Sequence, residues 1–199
     1  METFLADLRA LEDDEAIQDF GRRTILHGTP YVFDGKEADF YEFRKKIATN
    51  FDIGFHEVFI TGSGKLGFSP HKQTKFSYES DIDVAIVSKK LFDQLMEAIR
   101  HYQMNLRNNR IAVTEKELKK YHEFLEYSAI GWIRPDLLPE SFSVKTLKEG
   151  WFDFFNSISH GKSEVGNYKV SAGCFKTYRH LELYTFSGLK KIKKALEVN

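Results

Sequence analysis

Two acids set into an apolar run constrain this chain most. Residues 82–87 read Ile-Asp-Val-Ala-Ile-Val, and Asp81 stands just before them. The run is short and rich in β-branched residues, which predicts a buried strand. Side chains two apart on a strand point the same way, so Asp81 and Asp83 share a face. Two carboxylates that close repel each other, and their apolar neighbours add a desolvation cost. A divalent cation would offset that cost. Mg²⁺ suits the position, because it takes one or two carboxylates together with substrate phosphates and water. Carboxylates that bridge a metal pair serve in-line phosphoryl or nucleotidyl transfer. A plainer reading stands beside this one: Asp81 caps a loop and Asp83 lies on an exposed edge.

A second segment precedes the acids. Val58, Phe59 and Ile60 form a short apolar run that ends at Thr61 and meets Gly62-Ser63-Gly64. A strand followed by such a turn presents backbone N–H groups, and glycine permits close approach of a phosphate. The segment is not a Walker loop, since Leu66 follows Lys65 where Ser or Thr is required. Residues 64–80 read as a long loop. It carries Lys65, His71, Lys72 and Lys75, which would contact phosphates or a polynucleotide, or simply be solvated; Lys65 lies nearest the turn.

Helical spacing surrounds these strands. Leu5, Leu8, Leu11, Ile17 and Phe20 predict one helix from Phe4 to Phe20, with the acidic run Glu12 to Glu15 as its solvated face. Further helices are predicted at Glu37–Asn50, Lys90–Arg107, Thr114–Ser128, Ser143–Ser159 and from Arg179 to Glu197. Thr114 and Glu117 make a capping box. Residues from Trp132 to Pro139 read as irregular, and Tyr168 to Phe175 as a later strand. Trp151, Phe152, Phe154 and Phe155 are expected in the core, and Lys190, Lys191, Lys193 and Lys194 on a solvated helix face. Tyr178, Arg179 and His180 are candidate lining for a nucleotide cleft. The expected architecture is α/β (α+β), a small mixed sheet flanked by helices. The 199 residues form a single domain: N-terminal helices to about 54, motif strands over about 55–90, and a helical C-terminal part.

Composition removes several classes of function. Lys plus Arg and Asp plus Glu are each 29, which excludes binding of nucleic acid by bulk positive charge but not by a local groove. The lone cysteine, Cys174, rules out a disulfide framework or a Cys-rich zinc site and is expected in the core. The seven histidines show no metal-ligand spacing. No apolar stretch reaches membrane-spanning length, and Met1 to Ala10 carries acids where a signal peptide would be basic. A cytoplasmic protein with no membrane partner is the expectation.

Taken together, strand, Gly62-Ser63, loop, then Asp81-Ile82-Asp83-Val84 opening an apolar strand resembles the signature of the DNA polymerase β-like nucleotidyltransferase superfamily. The resemblance covers Val58 to Ser88. It implies the nucleotidyltransferase fold, with Gly62 and Ser63 on the triphosphate of an NTP such as ATP; Lys65, by its place beside that turn, is the further candidate for a phosphate contact. Asp81 and Asp83 would be the catalytic carboxylates and hold Mg²⁺ or Mn²⁺. It further implies transfer of an NMP to a hydroxyl on RNA (a tRNA 3′ end) or on a partner protein, in company with bacterial antiphage and toxin–antitoxin enzymes. Synthesis of an oligonucleotide messenger is the alternative, and so is an inactive module that binds a nucleotide or partner. Two departures from the pattern stand out. The 64–80 loop is longer than usual, and the later strand offers Ser171 or Gly173 where many members carry a third carboxylate. Asp136 and Asp153 are the remaining candidates for that acid.

Overall fold

The computed structural model describes residues 1–138 and 145–198. The end of the stretch read as irregular, at Pro139, and the expected helix start at Ser143 lie outside the described residues. The fold is α+β, with a four-stranded mixed sheet, a two-stranded ribbon and surrounding helices. The N-terminal helical part is α1 (Glu2–Ala10), α2 (Asp14–Gly21) and α3 (Glu37–Phe51). The motif region is β1 (Val58–Thr61), α4 (Gly62–Leu66), β2 (Phe68–Ser69), β3 (Thr74–Lys75) and β4 (Ile82–Val87). Then come α5 (Lys89–Arg107), α6 (Glu115–Ala129), β5 (Trp132–Ile133), α7 (Lys145–Ser157), β6 (Val170–Phe175) and α8 (Tyr178–Val198).

The main sheet has the order β1-β4-β6-β5. β4 runs antiparallel to β1 and parallel to β6, and β5 is antiparallel to β6. A parallel neighbour demands a long crossover, and the chain from α5 to α7 supplies it. Alternation sorts the residues of β4 onto two faces. Ile82, Val84 and Ile86 enter the main core with Val58, Ile60, Val170 and Cys174. Ala85 and Val87 face the other way and pack with Phe175 and Leu181 of α8. β4 is therefore covered on both faces along most of its length, as its apolar run requires.

Three expectations are corrected. The N-terminal helix is two helices, because Asp13 accepts a hydrogen bond from the Ala16 N–H (2.8 Å) and starts α2 afresh. The 64–80 segment is no plain loop: it holds most of α4 and the β2–β3 ribbon. The stretch after Trp132 contributes β5, where Trp132 pairs with Phe175 and Ile133 with Cys174. Two residues are too few to show a period in sequence, and only the partner strand defines them.

Other expectations match. The Thr114 capping box forms, with the Thr114 hydroxyl accepting from Glu117 N–H and Glu117 accepting from Thr114 N–H. Trp151 and Phe155 are buried, and Phe152 and Phe154 pack against the same core. Lys190 pairs with Asp14 (2.9 Å) at the surface. Among the described residues no helix is long and apolar enough to cross a membrane.

Cys174 is fully buried, and burial pushes its thiol up to about 12. The thiolate is the reactive form, so the folded protein should react with a disulfide reagent at least about a hundredfold more slowly than the urea-unfolded chain. Comparable rates in the two states would show that β6 is not seated between β4 and β5.

Candidate active site around Asp81 and Asp83

The site is built where the cover on β4 ends. Asp83 lies on the face that bears Ala85 and Val87, but nearer the N-terminal end of the strand, where it is open to solvent. Asp81 is exposed just before the strand. Sheet register assigns Asp83 a neighbour on each side, Thr61 on β1 and Ser171 on β6. The Thr61 hydroxyl donates to the Asp83 backbone carbonyl (3.3 Å), and the Ser171 hydroxyl donates to Asp83 Oδ1 (3.4 Å). Lys169 Nζ lies 3.3 Å from Asp81 Oδ2.

Gly62 closes the other side of Asp83. Its φ of +63° lies in the left-handed region that favours glycine. A Cβ there would stand 2.5 Å from Asp83 Oδ2. Backbone angle and the close carboxylate both favour glycine, since a side chain here would have to displace Asp83. The Gly62-Ser63 turn is thus held directly against the carboxylate.

The electrostatics are those of a crowded acid. Partial desolvation, and then the negative charge of Asp81, push the Asp83 carboxyl above the usual carboxylate range. The Ser171 hydrogen bond and the charges of Lys72 and Lys169 act in the opposite direction without cancelling the rise. Such an environment disfavours two bare carboxylates and suits a divalent cation between them. The donor set is small, however. Among the described residues there is no group of three His, Cys, Asp or Glu side chains. The negative charge that reaches Asp83 comes from Asp81; neither Asp136 nor Asp153 contributes. Asp136 is ion-paired to Arg134 (2.7 Å), and Asp153 is exposed on α7.

Lys65 is not turned toward the acids. It is 8% exposed, and its ammonium donates to the backbone carbonyls of His27, Gly28 (2.8 Å) and Thr29 (3.4 Å). Burial pushes its amine below the usual lysine range. This geometry makes it a tie between α4 and the 27–29 loop, which holds the Gly62-Ser63 turn from behind. Of the other cations in the 64–80 segment, Lys72 exerts its charge on Asp83, while His71 and Lys75 are exposed.

Two groups escaped sequence reasoning. Lys169 sits one residue before β6, and only the β4–β6 pairing carries it to Asp81. Trp132 lies over Gly173, where any side chain would collide with the indole, and its ring is 4.4 Å from that of Tyr184. The charge of Asp83 reaches the Tyr184 hydroxyl, which burial foremost raises above the usual tyrosine range. Tyr184 is 44% exposed. An aromatic wall thus stands beside the acids on the α8 face.

Comparison of the chain with protein-family models, curated proteins and solved structures finds no match. The functional reading therefore rests on the site itself.

Two substitutions probe this geometry. Lys65→Met removes the charged donor shared by three backbone carbonyls and should lower unfolding stability by about 1–3 kcal/mol in a denaturant titration. Gly62→Ala should cost about 1–2 kcal/mol from its backbone angle alone. It should also displace the Asp83 carboxylate, so that a crystal structure of the variant shows that side chain in a new rotamer.

Proposed function

We propose that the protein is a metal-dependent nucleotidyltransferase, moving an NMP from an NTP to an acceptor hydroxyl on RNA or protein. One observation carries the reading: the Gly62-Ser63 turn packs against Asp83, where a Cβ on Gly62 would stand 2.5 Å from the carboxylate, and the charge of Asp81 bears on the same carboxyl. A phosphate-approach turn and a carboxylate pair within one contact are the two halves of such a site. The raised Asp83 carboxyl, beside a second acid, suits a hard cation.

Asp81 and Asp83 would hold Mg²⁺ or Mn²⁺, which when bound polarises the α-phosphate and lowers the pKa of the acceptor hydroxyl. The protein's own part is positioning and charge. Gly62 and Ser63 bring backbone close to the triphosphate. Thr61 and Ser171 fix the Asp83 side of the site. Lys72 and Lys169 add positive charge at its mouth. The acceptor oxygen forms a bond to the α-phosphorus as the bond to the β-phosphate bridging oxygen breaks; the hydroxyl proton passes to solvent, and pyrophosphate leaves. A role in antiphage defence or a toxin–antitoxin pair follows from the family resemblance rather than from any residue of the site.

A second reading has its own support. Ser171 occupies the β6 position facing Asp83, so the neighbouring strand brings a hydroxyl there instead of an acid. A nucleotide-binding module without turnover would fit that substitution.

The test uses purified protein, Mg²⁺ or Mn²⁺, and each α-labelled NTP, with cellular RNA and lysate as acceptors. Label should pass to RNA, protein or a small product, and Asp81→Asn or Asp83→Asn should reduce it by at least about a hundredfold, the scale of losing one preorganised charge. Absence of transfer, combined with Mg²⁺-dependent thermal stabilisation by NTP that Asp83→Asn removes, would select the binding module. Absence of both would overturn the nucleotide reading.

A further inference from the structure

An open pocket of about 290 Å³ lies away from the acid pair, along the outer side of β1. The 27–30 loop, Phe40, Arg44 and residues 58–60 line it, and Lys65 closes its back. β1 is an edge strand, so its outward N–H and C=O groups lack ladder partners. The walls are mixed, with Leu26 and Ile60 apolar and the loop carbonyls polar.

Arg44 is the unusual element. Its guanidinium is held between two rings, 5.1 Å from the centroid of Phe40 and 5.0 Å from that of Phe55. Its Nε–H is buried and has no hydrogen-bond partner. Among the described residues no carboxylate pairs with it, whereas Arg134, the other half-buried arginine, is paired with Asp136. Burial alone pushes the Arg44 guanidinium below the usual arginine range, with no acid opposing the shift. The aromatic clamp fixes the orientation of the planar donor fork, which matches a carboxylate or a phosphate. Lys65 does not compete for such a ligand, because its ammonium is already taken up by three carbonyls.

We propose that this pocket binds a small organic oxyanion, a carboxylate or a phosphate monoester, whose head group sits on Arg44 and whose apolar body lies against Phe40 and β1. The volume admits a compact metabolite rather than a chain of residues, being at the lower end of ligand-pocket sizes. An occupant would also rest against the loop that Lys65 ties to α4. The site is separate from the acid pair, and it stands whether or not the nucleotidyltransferase reading holds.

The test is a titration of the full-length ¹⁵N-labelled chain, followed in amide and arginine Nε–H spectra. The probes are phenylacetate and acetate in one arm, and phenyl phosphate and inorganic phosphate in the other. Saturable shifts are expected at Arg44 Nε–H, at the amides of 27–29 and at those of 58–60. The arm that saturates at lower concentration identifies the head group. Asp83→Asn should bind unchanged. Arg44→Gln should bind at least about tenfold more weakly, and Arg44→Lys, which keeps the charge but loses the fork, should also bind more weakly. The lysine variant keeps the test open if the glutamine variant fails to fold. No saturable shift with any probe, binding by both Arg44 variants equal to that of the unsubstituted chain, or shifts confined to residues 62, 63 and 83 would overturn the proposal.

Discussion

Strand β4 is covered by protein on both faces and hydrogen-bonded on both edges, and everything else in the fold is arranged around that enclosure. A strand so enclosed must be apolar along its length, as Ile82, Val84, Ala85, Ile86 and Val87 are. The cover ends at the N-terminal end of the strand, and that is where Asp83 stands. Antiparallel pairing to β1 brings Thr61 and the Gly62 turn beside it. Parallel pairing to β6 brings Ser171 and, one step further out, Lys169. One strand therefore gathers residues that are more than a hundred positions apart in the chain.

The same packing creates the electrostatic tension at the site. Partial desolvation and a second acid raise the Asp83 carboxyl, while two lysines and a serine hydroxyl oppose the rise only in part. The turn that faces this carboxylate is itself fastened from behind, because Lys65 ties α4 to the 27–29 carbonyls. A lysine beside a glycine turn reads in sequence as a phosphate ligand. Here the ammonium points away from the acids, and three carbonyl acceptors satisfy it. Proximity along the chain says nothing of the side from which a helical residue projects, and α4 turns Lys65 to the far side.

Legibility followed the strength of the local signal. β4, α5, α6 and α8 were readable within a residue or two, because long periodic or compact β-branched runs leave one reasonable assignment. The break between α1 and α2 was hidden, since Leu11 continues the apolar spacing across the gap and only the Asp13 cap ends the register. β5 was not readable at all. Its two residues become a strand by pairing with Cys174 and Phe175. The residues of the site divide in the same way. Asp81, Asp83 and the Gly62-Ser63 turn were visible from spacing, and Ser171 stood out as the place where an acid was missing. Lys169 and the Trp132–Tyr184 wall carry no sequence signal, because their relation to Asp83 exists only across strands.

By itself the sequence determined the class of the fold, the identity of the enclosed strand, and the closeness of two carboxylates at its N-terminal end. Those follow from local periodicity and from the cost of burying charge, which every fold of this chain must respect. Tertiary structure decided which groups meet those carboxylates. It set a hydroxyl opposite Asp83, brought Lys169 to Asp81, withdrew Lys65 into a carbonyl cradle, and left Arg44 between two rings with no acid. Such pairings depend on strand order and helix orientation, and these are fixed by packing between distant segments rather than by the composition of any one of them.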